Sequence, residues 1–200
     1  MPRVILAGDI GGTKAQLALF EDGAHPRSPV REERLPTNGS PSLDALVKQF
    51  LAATGAKPSR CVFGIAGPVS DNVCITTNLP WHVDGNAMSA SLGAPVTLLN
   101  DLEANACGLE TLGPGDLLVL QPGVASRGNR ALIAAGTGLG EAILVQQGDS
   151  WIPMASEGGH TDFGSRDALE DELLRWLRGK YGRVSYERIL SGPGLADLYR

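Results

Sequence analysis

Two glycine-rich segments and a few polar residues are where this 200-residue chain could do chemistry. The first segment, Gly8-Asp9-Ile10-Gly11-Gly12-Thr13, reads as a glycine turn between two apolar strands, Val4–Ala7 and Ala15–Phe20. Adjacent glycines let backbone amides crowd around a phosphate, because no Cβ stands in the way. Asp9 could orient a magnesium ion through water, and Thr13 adds a hydroxyl donor. Taken alone, an ordinary hairpin turn explains this segment better. Lys14 follows, but the G-x-x-x-x-G-K-[ST] spacing is missing, so it is not a P-loop. The second segment, Gly136-Thr137-Gly138-Leu139-Gly140, again lies between strand-like runs, Ala131–Ala135 and Glu141–Gln146. Glu141 takes the place of the third glycine of G-x-G-x-x-G. One such turn is weak evidence. Two, one in each half, are how a two-domain kinase can hold a nucleotide's phosphates.

Two further groups carry side-chain chemistry. Asn100-Asp101 follows the buried run Pro95–Leu99, and ligands of α/β sheets gather at the carboxyl ends of strands. A carboxylate there could accept the proton of a substrate hydroxyl. Either residue could equally cap a helix over Leu102–Leu109. Glu157-Gly158-Gly159-His160, with Glu187 further on, suggests backbone pressed against a ligand between polar side chains. Carboxylate and imidazole can grip vicinal sugar hydroxyls. H-E-x-x-H is absent and no cysteine pair lies nearby, so a zinc site does not fit.

The elements that must position these residues follow from periodicity and punctuation. Val30–Leu35 reads as a third strand. Leu43, Leu46, Val47, Phe50 and Leu51 make one apolar helix face, capped by Ser40 or Ser42 and ended by Gly55. Arg60–Ala66 and Val73–Thr77 read as strands. Gly, Pro and Gln crowd Gly113–Gly128, which places a domain boundary near Leu112, with domains 1–112 and 113–200. Ser165–Gly179 reads as a helix with Leu169, Leu173, Trp176 and Leu177 as its buried stripe, and Ser185 could cap a short helix carrying Glu187. Another helix reads as beginning after Ser191-Gly192-Pro193-Gly194, so the second domain is expected to be incomplete at Arg200.

Composition excludes several classes. Apolar residues make up 42% and charged residues 20%, as in a soluble globular protein. A net charge of -5 leaves no basic footprint for nucleic acid. No basic amphipathic helix, spanning segment or signal peptide is visible, so no membrane partner is expected and the location reads as cytoplasmic. Cys61, Cys74 and Cys107 are odd in number and widely spaced, and read as buried, reduced thiols.

Taken in order, the motifs resemble the bacterial glucokinase family, within the actin-like ATPase superfold that also holds hexokinases. They are Gly8–Thr13, Gly64-Ile65-Ala66-Gly67-Pro68, Thr77-Asn78-Leu79-Pro80-Trp81, Asn100-Asp101-Leu102-Glu103-Ala104, Ala135–Gly140, Glu157-Gly158-Gly159-His160-Thr161-Asp162-Phe163 and Leu190–Leu195. The resemblance implies two α/β domains of ribonuclease-H-like topology with the active site in the cleft. It implies that Gly8, Asp9, Ile10, Gly11, Gly12 and Thr13 grip the phosphates of ATP, and that Gly136, Thr137, Gly138 and Gly140 do so from the other domain. By the same resemblance Asn100, Asp101, Glu157, His160 and Glu187 bind glucose, and Asp101 is the base for its 6-hydroxyl. ATP and Mg²⁺ are the implied cofactors, glucose the partner, and a homodimer the implied assembly. The cysteine-rich zinc motif of the related ROK group is missing from Thr161–Arg178, and the first strand starts near Arg3 with no helix-turn-helix before it. The resemblance is therefore to the zinc-free branch and not to a repressor. Three other readings stay open: a kinase for another hexose, a sugar-binding remnant without turnover, and an actin-like polymer.

Overall fold

The computed structural model of the chain describes residues 3–76, 79–124 and 126–200. Thr77 and Asn78, which open the T-N-L-P-W motif, lie outside the described residues. The chain divides into two units, Met1–Leu117 and Leu118–Arg200.

The first unit is built on a five-stranded sheet. Its strands are β1 (Val4–Ile10), β2 (Lys14–Glu21), β3 (Arg31–Pro36), β4 (Arg60–Ile65) and β8 (Val96–Asn100), in the order β3-β2-β1-β4-β8. The first three run antiparallel, while β4 and β8 join in parallel. Alternation sets the two faces: Ala15, Leu17 and Leu19 of β2 are buried, and Gln16 and Ala18 between them point the other way. On the buried face packs α1 (Leu43–Thr54), through Leu43, Leu46, Val47 and Phe50. Ser42 is its cap, its hydroxyl accepting from the Ala45 amide at 3.2 Å. Gly55, with φ 68°, ends it.

A smaller sheet of β5 (Val69–Ser70), β6 (Val73–Ile75) and β7 (His82–Asp84) precedes α2 (Gly85–Leu92). The β5–β6 connection is Asp71-Asn72, with φ 51° and 62° at the two residues, the mirror-image turn that suits strand twist. The Asn72 side chain reaches β8: its amide nitrogen donates to Val96 O at 2.9 Å, and its oxygen accepts from Leu98 N at 2.8 Å. A Cβ at Gly85 would lie 2.4 Å from that nitrogen, so glycine is required there. Asn72→Ala would leave two strand groups unpaired and put a Cβ residue less tolerant of the left-handed region into the turn. The expected loss is about 2–4 kcal/mol of folding free energy, read by urea denaturation. A loss under about 0.5 kcal/mol would mean that water replaces the amide at little cost. At the other end of β8, α3 (Asp101–Gly108) begins directly, and a Cβ at Gly64 would stand only 3.0 Å from Ala104 Cβ.

The second unit opens with an antiparallel meander, β9 (Arg130–Ala135), β10 (Leu139–Gln147) and β11 (Ser150–Ser156), in the order β11-β10-β9. It repeats the strand–turn–strand start of the first unit. Then come α4 (Ala168–Tyr181) and α5 (Gly192–Tyr199). Asp167 caps α4, accepting from Glu170 N at 2.8 Å. The buried stripe of α4 differs from the expected one. Leu174 and Leu177 are buried and Leu173 half-buried, whereas Leu169 is 75% and Trp176 49% exposed. Both sets satisfy helical spacing; the loop residues Val184 and Ile189 select the first by packing against it. Trp176 lies instead under the Lys180 ammonium, 5.7 Å from its ring centre. Lys180 and Tyr181 both donate to the buried Asp197 carboxylate of α5 and hold it below its usual range, Lys180 first.

Of the three cysteines, Cys61 and Cys74 are buried as expected, and burial pushes the Cys61 thiol up to about 11. Cys107 is exposed, because it lies on the outer side of α3 while its neighbour Ala106 is the buried residue. No helix among the described residues is long and apolar enough to cross a membrane.

Candidate active site

In the first unit the expected glycine turn is shorter than its sequence suggested. Gly8, Asp9 and Ile10 belong to β1, which pairs through Ile10 with β2 on one side and β4 on the other. Gly8 lacks a side chain for the sake of the core: a Cβ would sit 2.7 Å from Phe63 Cδ1 and 2.8 Å from Leu17 Cδ2. The turn proper is Gly11–Thr13. The Gly11 amide donates to Lys14 O at 2.9 Å. Thr37, just past β3, ties down the other carbonyls: its hydroxyl donates to Gly12 O at 3.0 Å and its amide to Thr13 O at 3.2 Å. The amides of Gly12 and Thr13 have no acceptor among the described residues. Two donors are thus presented by the turn, as an anion-binding loop needs. Nothing in the sequence marked Thr37; the one available signal was a hydroxyl residue at the end of the strand facing the turn.

Asp9 points to the opposite face of the sheet from Gly8. It lines a cavity of about 360 Å³ with Gln16, Gly64, Asp101 and Asn105 among its walls. Partial burial, and then the Asp101 carboxylate, push Asp9 above the ordinary carboxylate range, while Arg34 acts the other way. Arg34 is held by Gln16, its guanidinium donating to Gln16 Oε1 at 2.9 Å.

The end of β8 delivers Asn100 and Asp101 together. Asn100 is the cap of α3, but both side chains share the Leu102 amide, at 3.0 Å and 2.9 Å. The Asn100 amide nitrogen also donates to Gly67 O at 3.0 Å. That leaves Asn100 one N–H and one lone pair unused. Asp101 Oδ1 is engaged with the helix start, and Oδ2 has no donor among the described residues.

In the second unit Gly136–Gly138 forms the turn, while Leu139 and Gly140 open β10. The Gly136 amide donates to Gly138 O and the Gly192 amide to Gly136 O, both at 2.8 Å. The amides of Thr137 and Gly138 have no acceptor among the described residues, so this turn too presents two donors. Glu187, on a single 3-10 turn (Tyr186–Arg188) where a helix start was expected, accepts the Leu139 amide on Oε2 at 3.0 Å. Ser185 makes no side-chain cap bond. A Cβ at Gly138 would lie 2.5 Å from Glu187 Oε2. Glu157, His160 and Glu187 come together: the imidazole has Glu157 Oε2 3.6 Å from Nε2 and Glu187 Oε1 3.8 Å from Nδ1. These gaps are too long for hydrogen bonds and leave the polar atoms able to take a ligand's hydroxyls. Arg183, which sequence reasoning missed, steadies the loop by donating to His160 O at 2.9 Å and to Asp162 at 2.6 Å.

The sequence model of the glucokinase family matches residues 6–200. The chain belongs to the glucokinase family. It is 40% identical over 204 residues to the glucokinase of Nostoc sp., an alignment covering 98% of this chain and 60% of that protein. With the glucokinase of Synechocystis sp. the identity is 41% over 210 residues, covering 97% and 59%. Among solved structures, glucokinase from an Antarctic psychrotroph superposes with a TM-score of 0.85 at 31% identity, covering 100% of this chain and 64% of that one. The chain therefore spans about 60% of the length of the curated relatives it matches. Its α/β architecture is that of the sugar kinases of the actin-like ATPase fold.

Proposed function

We propose that this glucokinase-family chain carries the substrate-binding machinery for transfer of the ATP γ-phosphoryl group to the 6-hydroxyl of glucose. Asn100, Asp101, Glu157, His160 and Glu187 bind the sugar hydroxyls. The free amides of Gly12 and Thr13, and of Thr137 and Gly138, hold phosphate oxygens. Gly8, Ile10, Gly11, Gly136 and Gly140 shape the backbone on either side of those donors. Asp9 would hold Mg²⁺ through water, in keeping with that ion's use of one or two carboxylates, substrate phosphates and retained water. When bound, Mg²⁺ neutralises charge that builds on the phosphate oxygens. Asp101 Oδ2 takes the proton of the 6-hydroxyl as its oxygen bonds to the γ-phosphorus; the bond to the β-phosphate oxygen breaks and ADP leaves.

The observation that carries this reading is Asp101 with one oxygen tied to α3 and the other without a donor among the described residues, in the same cavity as Asp9. Its test is sugar-dependent ADP formation from Mg·ATP, with glucose, mannose, fructose and galactose side by side. ADP with glucose alone supports the proposal, and ADP with another sugar instead makes the chain a kinase for that hexose. The second reading is a sugar-binding chain without turnover. Saturable glucose binding without ADP would establish it. Absence of both would overturn the proposal. The unpaired buried thiols of Cys61 and Cys74 suit a reducing compartment such as the cytoplasm.

A further inference from the structure

We propose that Thr37 is a positioning residue for the nucleotide, fixing the Gly12–Thr13 peptide with its carbonyl turned inward and its amide turned toward the phosphate. This rests on the reading of Gly11–Thr13 as the phosphate-gripping turn. Thr37 is 1% exposed, a buried polar residue at the end of β3. Its hydroxyl donates to Gly12 O at 3.0 Å and its amide to Thr13 O at 3.2 Å.

The argument turns on peptide geometry. Gly12 C=O and Thr13 N–H belong to one planar unit and point in opposite directions. A bond that holds Gly12 O therefore also aims the Thr13 N–H. A flip of this unit turns ψ of Gly12 and φ of Thr13: glycine leaves its side of the rotation open, and within the turn only the branched Thr13 side chain opposes it. A flipped peptide would present a carbonyl oxygen to an anion, repelling what the turn should attract. The hydroxyl of Thr37 is the group outside the turn that holds Gly12 O, and the neighbouring β2–β3 pairing, with Lys14 opposite Pro36, brings it within reach. The second turn is held by other means: the Gly192 amide occupies Gly136 O, and Glu187 occupies the Leu139 amide.

Thr37→Val keeps the shape and deletes the donor; Thr37→Ser keeps the donor. In Thr37→Val, Mg·ATP is expected to bind about tenfold more weakly by calorimetry, the effect of one lost hydrogen bond. Thr37→Ser should stay within about threefold of the starting protein, and the glucose dissociation constant should move in neither variant. In the ligand-free protein, NMR relaxation dispersion at Gly12 and Thr13 should appear in Thr37→Val and vanish again in Thr37→Ser. Should Thr37→Val melt too low for these measurements, Thr37→Ala in the cold gives the same comparison. Dispersion and Mg·ATP affinity both unchanged on loss of the hydroxyl would overturn the proposal. If the starting protein binds no Mg·ATP yet the dispersion appears as described, the nucleotide reading fails while the hold of Thr37 on the turn stands. A fall in glucose affinity equal to that for Mg·ATP would also overturn it, by showing a general loosening of the fold.

Discussion

Asp101→Asn is expected to lower kcat for glucose phosphorylation by about a hundred- to ten-thousand-fold, the usual contribution of a general base. The glucose dissociation constant should stay within about threefold, because an amide keeps most of the hydrogen-bonding capacity of the side chain. The local structure favours a clean result. The oxygen that accepts the Leu102 amide survives in asparagine, so α3 still starts at the same residue. Only the free oxygen changes character, from proton acceptor to donor. Steady-state ADP release and calorimetric titration of glucose, done on the same preparations, separate the two effects. A variant with kcat within tenfold of the starting protein would assign the base to some other group.

The second large effect is expected at Gly159, with its neighbour Gly158 as the control. A Cβ on Gly159 would lie 2.1 Å from Leu139 O and 3.1 Å from Leu139 C, which are backbone atoms at the start of β10. They cannot retreat without moving the Gly136–Gly138 turn on one side or His160 on the other. Gly159→Ala should therefore cost about 1–3 kcal/mol of stability, as overpacking does, and weaken glucose binding by about tenfold. A Cβ on Gly158 meets mainly the Glu141 carboxylate, 2.0 Å from Oε2, and more loosely Ser156 Oγ at 3.2 Å. The carboxylate is the free end of a flexible side chain and can swing aside, so Gly158→Ala should cost under about 1 kcal/mol. Thermal melts and glucose titrations of the pair give the comparison. Equal losses at the two positions would show that the loop, and not the strand beneath it, absorbs the added atom.

Much of this was legible from residue types and spacing, and the parts that were not have physical reasons. The α1 face of Leu43, Leu46, Val47 and Phe50 was readable because one face buried against one sheet leaves a 3.6-residue signature. The α4 stripe was misread because two overlapping sets of residues satisfy that period, and only the packing of Val184 and Ile189 distinguishes them. β7 and α2 went unread. Strands of two or three residues are too short to show alternation, and the Gly85–Leu92 segment is rich in small and polar residues. Asn100 and Asp101 were both candidates for the cap of α3, and the structure explains why neither could be excluded: they share one amide. The convergence of Glu157, His160 and Glu187 was foreseen through the family resemblance. The role of Glu187 as acceptor for the second turn was not, since a bond spanning 48 residues leaves no local mark. Thr37 and Asn72 were invisible for the same reason. Each acts on backbone atoms far along the chain, and backbone has no sequence of its own.

The reach of Asn72 onto β8 bears on how the chain behaves in a crowd. β8 is the last strand of its sheet, and an unguarded outer strand is a template on which another chain can add itself. The Asn72 amide occupies one donor and one acceptor of that row, so an arriving segment meets a side chain where it needs backbone. This margin of the sheet is thus guarded by a turn residue, with Ser89 of α2 taking the Val96 amide beside it at 2.9 Å. Its loss would promote aggregation by a route additional to unfolding, through folded molecules adhering edge to edge.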